Sequence, residues 1–476
     1  MKHNKVLFLI FHVFVIMFVL ILTNIFTAGE NSDSMKFLEA VLLVLYIYTI
    51  LTAKMYLDWL NSYMIFLYTL FLFNFTRVFL DIIGYRTFGW ATKFANYYFY
   101  YSIRNEILEV FILILLFTHL GFAVSILNEK ELHLGVKLET RPFFTQTGII
   151  LFLISLPGIL AKMLIQLRLI LRVGYEAYYT GVLKNIDYPA FTKGSGTIMT
   201  IGFLIFLISI PSKKKFISIG SLYLLVKLID SMKGARSVFL TQLLFIMWYY
   251  YKVYGTKIKF GTVIKLGVFT MVFSQILVSV RSKKVFSLDL INGIFDFLHS
   301  QGVSYLVLGY LIQFKDYIHE SKTYPYILQG LFGFAPQSAE TLNTTNSLAD
   351  RLTYYLNPGA YLRGEGIGSN YIAEFYDLGY VWLIIGSILL GYIIIKYEKY
   401  VTKSRCMLLV SAYFIPNLFY IPRGSFFGSG LIKGMTFYTV LYITVQILEN
   451  MYFRIKGAYN DRKKDILHLD GRQGKA

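Results

Sequence analysis

The sequence predicts an all-α polytopic membrane protein of about twelve transmembrane helices with one large external loop. Composition is the first reason. Of 476 residues, 56% are hydrophobic, 18% aromatic and only 15% charged, against about 25% charged in an ordinary soluble domain. Mean hydropathy is +0.57. The second reason is that uncharged apolar runs recur along the whole chain, and most reach the roughly 20 residues that cross a hydrocarbon core. The third is that lysine and arginine gather in alternate segments between those runs, which is how a membrane protein encodes its orientation.

In chain order the spans fall near 6–28, 37–55, 63–83, 107–127, 147–170, 197–211, 216–229, 238–254, 263–280, 371–397, 407–421 and 431–452. Lys2 and Lys5 precede the first span as they would a signal peptide. The apolar run after them is longer than a signal core, so it reads as an uncleaved span. With the N-terminus in the cytoplasm, the inside segments include MKHNK, NEKELHLGVKLETR, PSKKK, KVYGTKIK, KYEKYVTKSR and the tail FRIKGAYNDRKKDILHLDGRQGKA. Nearly all are rich in Lys and Arg, so the net charge of +19 reads as orientation signal and contact with anionic lipid, and no nucleic-acid partner is expected. Both termini are then cytoplasmic.

The spans divide the chain into four regions. They are an N-terminal transmembrane bundle over 1–280, an extracytoplasmic loop over 281–370, C-terminal transmembrane helices over 371–453 and a basic cytoplasmic tail over 454–476. A loop of roughly 90 residues is usually functional or disordered. This one is not of low complexity, and its pieces INGIFDFLH and VSYLVLGYLIQF read as short helices lying on or dipping into the membrane face. It is expected to be a folded external cap.

The single cysteine, Cys406, excludes an internal disulfide and any CxxC site. HExxH, Walker and GxSxG motifs are absent, so no metal and no cofactor are expected. The informative residues are arginines on the side where the positive-inside rule disfavours them. They are Arg168 and Arg172 after the fifth span, Arg236 in KGARSVFLTQ, Arg281, Arg351 and Arg363 in or near the large loop, and Arg423 in IPRGSFFGSG.

Three of these, Arg236, Arg363 and Arg423, lie beside glycines. Glycine-jointed entrances to helices leave amide N–H groups pointing outward, and the forked guanidinium matches phosphate oxygens. Together they point to a phosphate or pyrophosphate ligand. Each arginine alone is equally explained by a headgroup phosphate or a loop carboxylate.

RGEGIGSNYIAEFYDLGY, residues 363–380, is the densest such segment, with Gly366, Gly368, Glu374 and Tyr376. Glu374 falls in the first turn of a helix capped by Ser369 or Asn370, where a carboxylate offsets the dipole. It is also a candidate for the acceptor hydroxyl. His299 is a candidate base or a boundary residue. The tyrosines suit sugar rings or an interfacial belt.

Local patterns then resemble a known family. GARSVFL, GEGIGSNYIAEFYDLGYVWLIIGSILLG and LRLILRVGYEAYYTG are similar to segments of the Wzy oligosaccharide repeat-unit polymerases. So is the overall plan of spans with an external loop before the antepenultimate one. The resemblance implies a GT-C-like glycosyltransferase, acting without metal at the outer leaflet of a bacterial cytoplasmic membrane. Its substrates would be undecaprenyl-pyrophosphate-linked oligosaccharides. A flippase and a chain-length regulator would be its companions, and the product a surface polysaccharide such as O-antigen, capsule or exopolysaccharide. It implies catalytic roles for Arg236, Arg363, Arg423 and Glu374. Arg281, Arg172, Arg351, His299, Gly366, Gly368 and Tyr376 would bind substrate. The alternatives are an O-antigen-ligase-type transferase and a flippase or transporter for the lipid-linked unit.

Overall fold

The computed structural model describes residues 2–85, 99–127, 135–136, 138–173, 186–231, 236–256, 290–320, 324–334, 337–344, 346–428 and 430–473, with isolated positions between 259 and 272. Most of these residues are helical, and no strand occurs among them. Nine helices among the described residues are long and apolar enough to cross a membrane. The expected class, an all-helical polytopic membrane protein, is the observed one.

The N-terminal bundle comprises α1 (Lys2–Thr27), α2 (Ser32–Tyr56), α3 (Ser62–Leu70), α4 (Thr76–Ile82), α5 (Tyr101–Leu127), α6 (Pro142–Val173), α7 (Ser195–Ile208), α8 (Lys213–Ser231) and α9 (Arg236–Tyr254). A π-helical turn, Phe71–Phe75, joins α3 to α4 within one crossing. The segment before the C-terminal helices contains α10 (Leu290–Gln301), α11 (Tyr305–Gln313), α12 (Lys315–Glu320), α13 (Gln329–Phe332), α14 (Ala339–Thr344), α15 (Leu348–Leu356) and α16 (Pro358–Leu362). After it come α17 (Tyr371–Asp377), α18 (Tyr380–Tyr400), α19 (Arg405–Tyr420) and α20 (Leu431–Gln473). Of the expected spans, 263–280 lies largely outside the described residues.

One expectation changes. The span expected over 371–397 is two helices, because Gly379 has φ +91°, a conformation open to glycine and costly for other residues. Within VSYLVLGYLIQF the helix is α11. Residues 305–311 of α11 are all buried, and a Cβ at Gly309 would stand 2.5 Å from the Phe99 ring. A helix apolar on every side belongs inside the protein.

The helices are seated by small residues and by polar clamps. A Cβ at Gly121 of α5 would be 2.0 Å from the Ile388 carbonyl oxygen, and one at Gly391 of α18 would be 2.0 Å from that of Thr118. Glycine at both positions lets the two backbones touch, as membrane helices require when lipid offers no hydrophobic drive. At one end of the bundle Lys252 Nζ sits 2.7 Å from Glu398 Oε2. Glu398 Oε1 accepts from Ser62 N (2.8 Å), Ser62 Oγ (2.5 Å) and Trp248 Nε1 (2.8 Å). At this same end Arg405 donates to the carbonyls of Ile208, at 2.9 Å, and Glu139. The candidate site lies at the opposite end.

Candidate functional site

The π-helical turn begins the site. A π turn inserts a residue and rotates the side chains beyond it, a feature common at functional positions. Here Asn74, fully buried, donates from Nδ2 to the Pro422 carbonyl at 2.8 Å. One turn later Arg77 donates from Nε to the His299 carbonyl at 3.1 Å, with its guanidinium 5.4 Å from the centre of the Tyr305 ring. Thr76 Oγ1 donates to the Leu298 carbonyl at 3.2 Å. The end of α10 fits against this turn only because residue 302 is glycine: a Cβ there would stand 2.4 Å from Thr76 Oγ1 and 2.8 Å from Arg77 Cγ.

Arg423 ends a 3₁₀ turn, Ile421–Arg423, that extends α19. Its Nη1 donates to Gln301 Oε1 at 2.6 Å, and the guanidinium lies 5.5 Å from the centre of the Phe73 ring. The side chain is half-buried, so it is oriented by protein yet open on one side. The chain then enters the glycine-bounded loop 424–430.

Glu374 holds that loop. Asn370 caps α17, accepting from Ala373 N at 2.7 Å and donating to the Ser304 carbonyl at 2.6 Å. This aims Glu374 inward, where it is 2% exposed. Its Oε2 accepts from Phe426 N at 2.8 Å and its Oε1 from Ser369 Oγ at 3.0 Å. Burial pushes the carboxyl up to about 7, while the Phe426 amide and the Ser425 and Ser369 hydroxyls pull the other way. From the cap, the Gly330 carbonyl accepts from Gly430 N at 2.8 Å and closes the loop's far end.

The other expected residues form a second group. Arg363 is 60% exposed and pairs with Glu365 Oε1 at 3.1 Å. It comes just after α16, whose end is a two-bond glycine cap. Gly364 N reaches the Tyr361 carbonyl, and Glu365 N reaches that of Ala360. Gly366 packs near Thr353 and Gln337, and Gly368 has φ +82°. Arg351 lies on α15, close enough to Tyr361 to act on it electrostatically.

Tyr376 turns away from Glu374. Its hydroxyl donates to Glu106 on α5, and the Lys315 ammonium lies 5.3 Å from its ring centre. His299 is buried at the end of α10. Arg172 is exposed at the end of α6. Arg281 and the side chain of Arg236 lie outside the described residues. The fold thus brings Arg423, Glu374 and His299 onto one frame with Asn74, Arg77 and Gln301, while Arg351, Arg363, Gly366 and Gly368 sit on the cap. Among the described residues no group of three or more His, Cys, Asp or Glu side chains is placed to hold a metal ion.

Fold and site define a multi-pass helical membrane protein with an arginine-bearing polar frame at one end of its bundle. The chain matches the family described as O-antigen polysaccharide polymerase Wzy over residues 7–454 and belongs to it. It is therefore a glycosyltransferase-like repeat-unit polymerase of polysaccharide synthesis, acting on lipid-linked oligosaccharide repeat units in the membrane. No curated protein and no solved structure matches the chain.

Proposed function

We propose that the chain polymerises undecaprenyl-pyrophosphate-linked repeat units at the outer face of a bacterial cytoplasmic membrane, with its Arg423 end outward and both termini cytoplasmic. A sugar hydroxyl of the incoming unit attacks the anomeric carbon of the growing chain. The bond from that carbon to the pyrophosphate oxygen breaks, the hydroxyl gives up its proton, and undecaprenyl pyrophosphate leaves.

The observation that carries this is Arg423 itself, a guanidinium fixed by Gln301 and Phe73 beside a glycine-bounded loop. The leaving pyrophosphate gains negative charge as its bond breaks. A cation already held in place stabilises that charge more in the transition state than before it. A unit pair near 4 Å is worth about 4 kcal/mol at a surface-like effective dielectric. Arg363 and Arg351 on the cap, with Arg236 and Arg281, are assigned to the same anionic group. Arg172, His299, Gly366, Gly368 and Tyr376 are assigned to binding the rest of the substrate. Glu374 has its oxygens turned to protein donors, so its proposed role is to position the loop after Arg423.

Purified protein given lipid-linked repeat units should yield a ladder of lengthening glycans without added nucleotide. A single transfer to a different acceptor would favour the ligase alternative. Movement of an unextended unit across a proteoliposome would favour the flippase.

A further inference from the structure

A second group of polar residues lines a cavity that shares no residue with the Arg423 frame. The cavity, of about 190 Å³, opens between α6, α7 and α8, with Lys162, Gln166, Lys227 and Asp230 among the residues lining it. That is more than ten times what one water requires. Each helix contributes one stripe. Lys162 and Gln166 are four apart on α6, and Lys227 and Asp230 three apart on α8, so each pair shares a face. Gly196 on α7 leaves the space open; a Cβ there would stand 3.2 Å from Ile159 Cδ1.

Both ammonium groups are braced by rings. Lys162 Nζ is 5.2 Å from the Tyr188 ring centre, and Lys227 Nζ is 5.3 Å from that of Tyr223. Gln166 Nε2 donates to the Tyr188 hydroxyl at 2.8 Å.

Depth identifies the ligand class. Pro142 begins α6 at the Lys252 end of the bundle. Lys162 stands twenty residues further along, about 30 Å at 1.5 Å per residue, which is the thickness of a hydrocarbon core. The cavity therefore lies in the Arg423-side third of the apolar span Pro142–Ile170, where a lysine ammonium can reach the headgroup level. Two lysines, one amide and one carboxylate leave a net positive charge there. Lysine ammonium groups serve as compact point charges for phosphate.

We propose that this cavity binds the phosphate or pyrophosphate of a lipid, as a site distinct from Arg423. On the polymerase reading above, two lipid-linked units must meet, and this cavity would hold one carrier while Arg423 holds the other.

The test is stoichiometry by native mass spectrometry of the full chain with a sugar-free polyprenyl pyrophosphate. The expected counts are two bound molecules for the wild type, one for Lys162→Gln/Lys227→Gln and two for Lys162→Arg/Lys227→Arg. Asp230→Asn should tighten the second binding step at least threefold. A count of two in the Gln pair, or an unchanged second step in Asp230→Asn, overturns the site.

Adding phosphatidylglycerol decides the source. Displacement of one molecule assigns the cavity to bulk anionic lipid; no displacement assigns it to the polyprenyl carrier. Binding is read without turnover, so failure of the polymerase reading would show separately, as absence of a glycan ladder.

Discussion

The backbone amide of Phe426 donates to the Glu374 carboxylate at 2.8 Å. Three residues before Phe426 in the chain is Arg423, whose Nη1 reaches Gln301 at 2.6 Å. One buried carboxylate thus fixes the loop that follows Arg423. Two elements far apart in sequence, α17 and the 3₁₀ turn after α19, become a single rigid frame.

Replacement of Glu374 separates positioning from proton transfer. Glu374→Gln keeps an oxygen for the Phe426 amide and should retain most polymerisation. Glu374→Ala strands a buried amide at a cost of about 1–3 kcal/mol and should lose most activity. Equal inactivity of both variants, read as glycan ladders at matched expression, would assign Glu374 to the proton instead.

The same residue predicts a pH effect on stability. Its carboxyl is raised from 4.5 to about 7 in the fold. A carboxyl raised by folding favours the folded state below its unfolded value, and that advantage is lost as pH rises through the folded one. Stability should fall between about pH 4.5 and pH 7, by about 3 kcal/mol at about 1.4 kcal/mol per unit. Thermal midpoints across this range should slope in the wild type and flatten in Glu374→Gln; equal slopes would place the dependence elsewhere.

Arg363→Lys keeps charge and loses the fork. Its pair with Glu365 is exposed, and such pairs contribute about 0–1 kcal/mol, so the thermal midpoint should not move. Polymerisation should fall about tenfold or more if two guanidinium N–H groups meet the pyrophosphate. Normal ladders in this variant would remove Arg363 from that contact.

At the opposite end, Lys252→Met leaves the buried Glu398 without its cation and should cost about 3–5 kcal/mol. Adding Glu398→Gln removes the charge and keeps an acceptor for Ser62 and Trp248, so the double variant should regain most of the loss. A double variant no more stable than the single one would mean the ion pair itself is the stabilising element.

Orientation is tested by labelling. In a Cys406→Ser background, a cysteine replacing the exposed Glu340 should react with an impermeant maleimide on intact cells. One replacing the exposed Lys214 should react only after lysis. The reverse pattern would invert the topology.

Much of the fold was legible because its signals are local. Length and apolarity marked the spans, and Asn370 before Glu374 marked a capped helix start, which the structure bears out. The break at Gly379 was not legible, since a glycine inside an apolar run is ordinary in membrane helices. The burial of α11 was hidden because uniform apolarity fits lipid and protein interior alike. The site was read through arginines in loops, so Arg77 escaped notice. Its signal was present in NFTR, two polar side chains one turn apart near the end of an apolar span, where an ionisable residue is costly without a partner. Its partners, His299 and Tyr305, are more than two hundred residues away, and no sequence periodicity links such distant positions.

The central claim is that Arg423 stabilises the departing pyrophosphate. Its most direct test is the single-turnover release of polyprenyl pyrophosphate from a bound donor, wild type beside Arg423→Ala, with donor affinity measured in parallel. The account predicts release slowed by about 100-fold or more, the usual effect of removing one transition-state donor, with affinity changed only a few fold. Release at the wild-type rate from a correctly folded Arg423→Ala would contradict it.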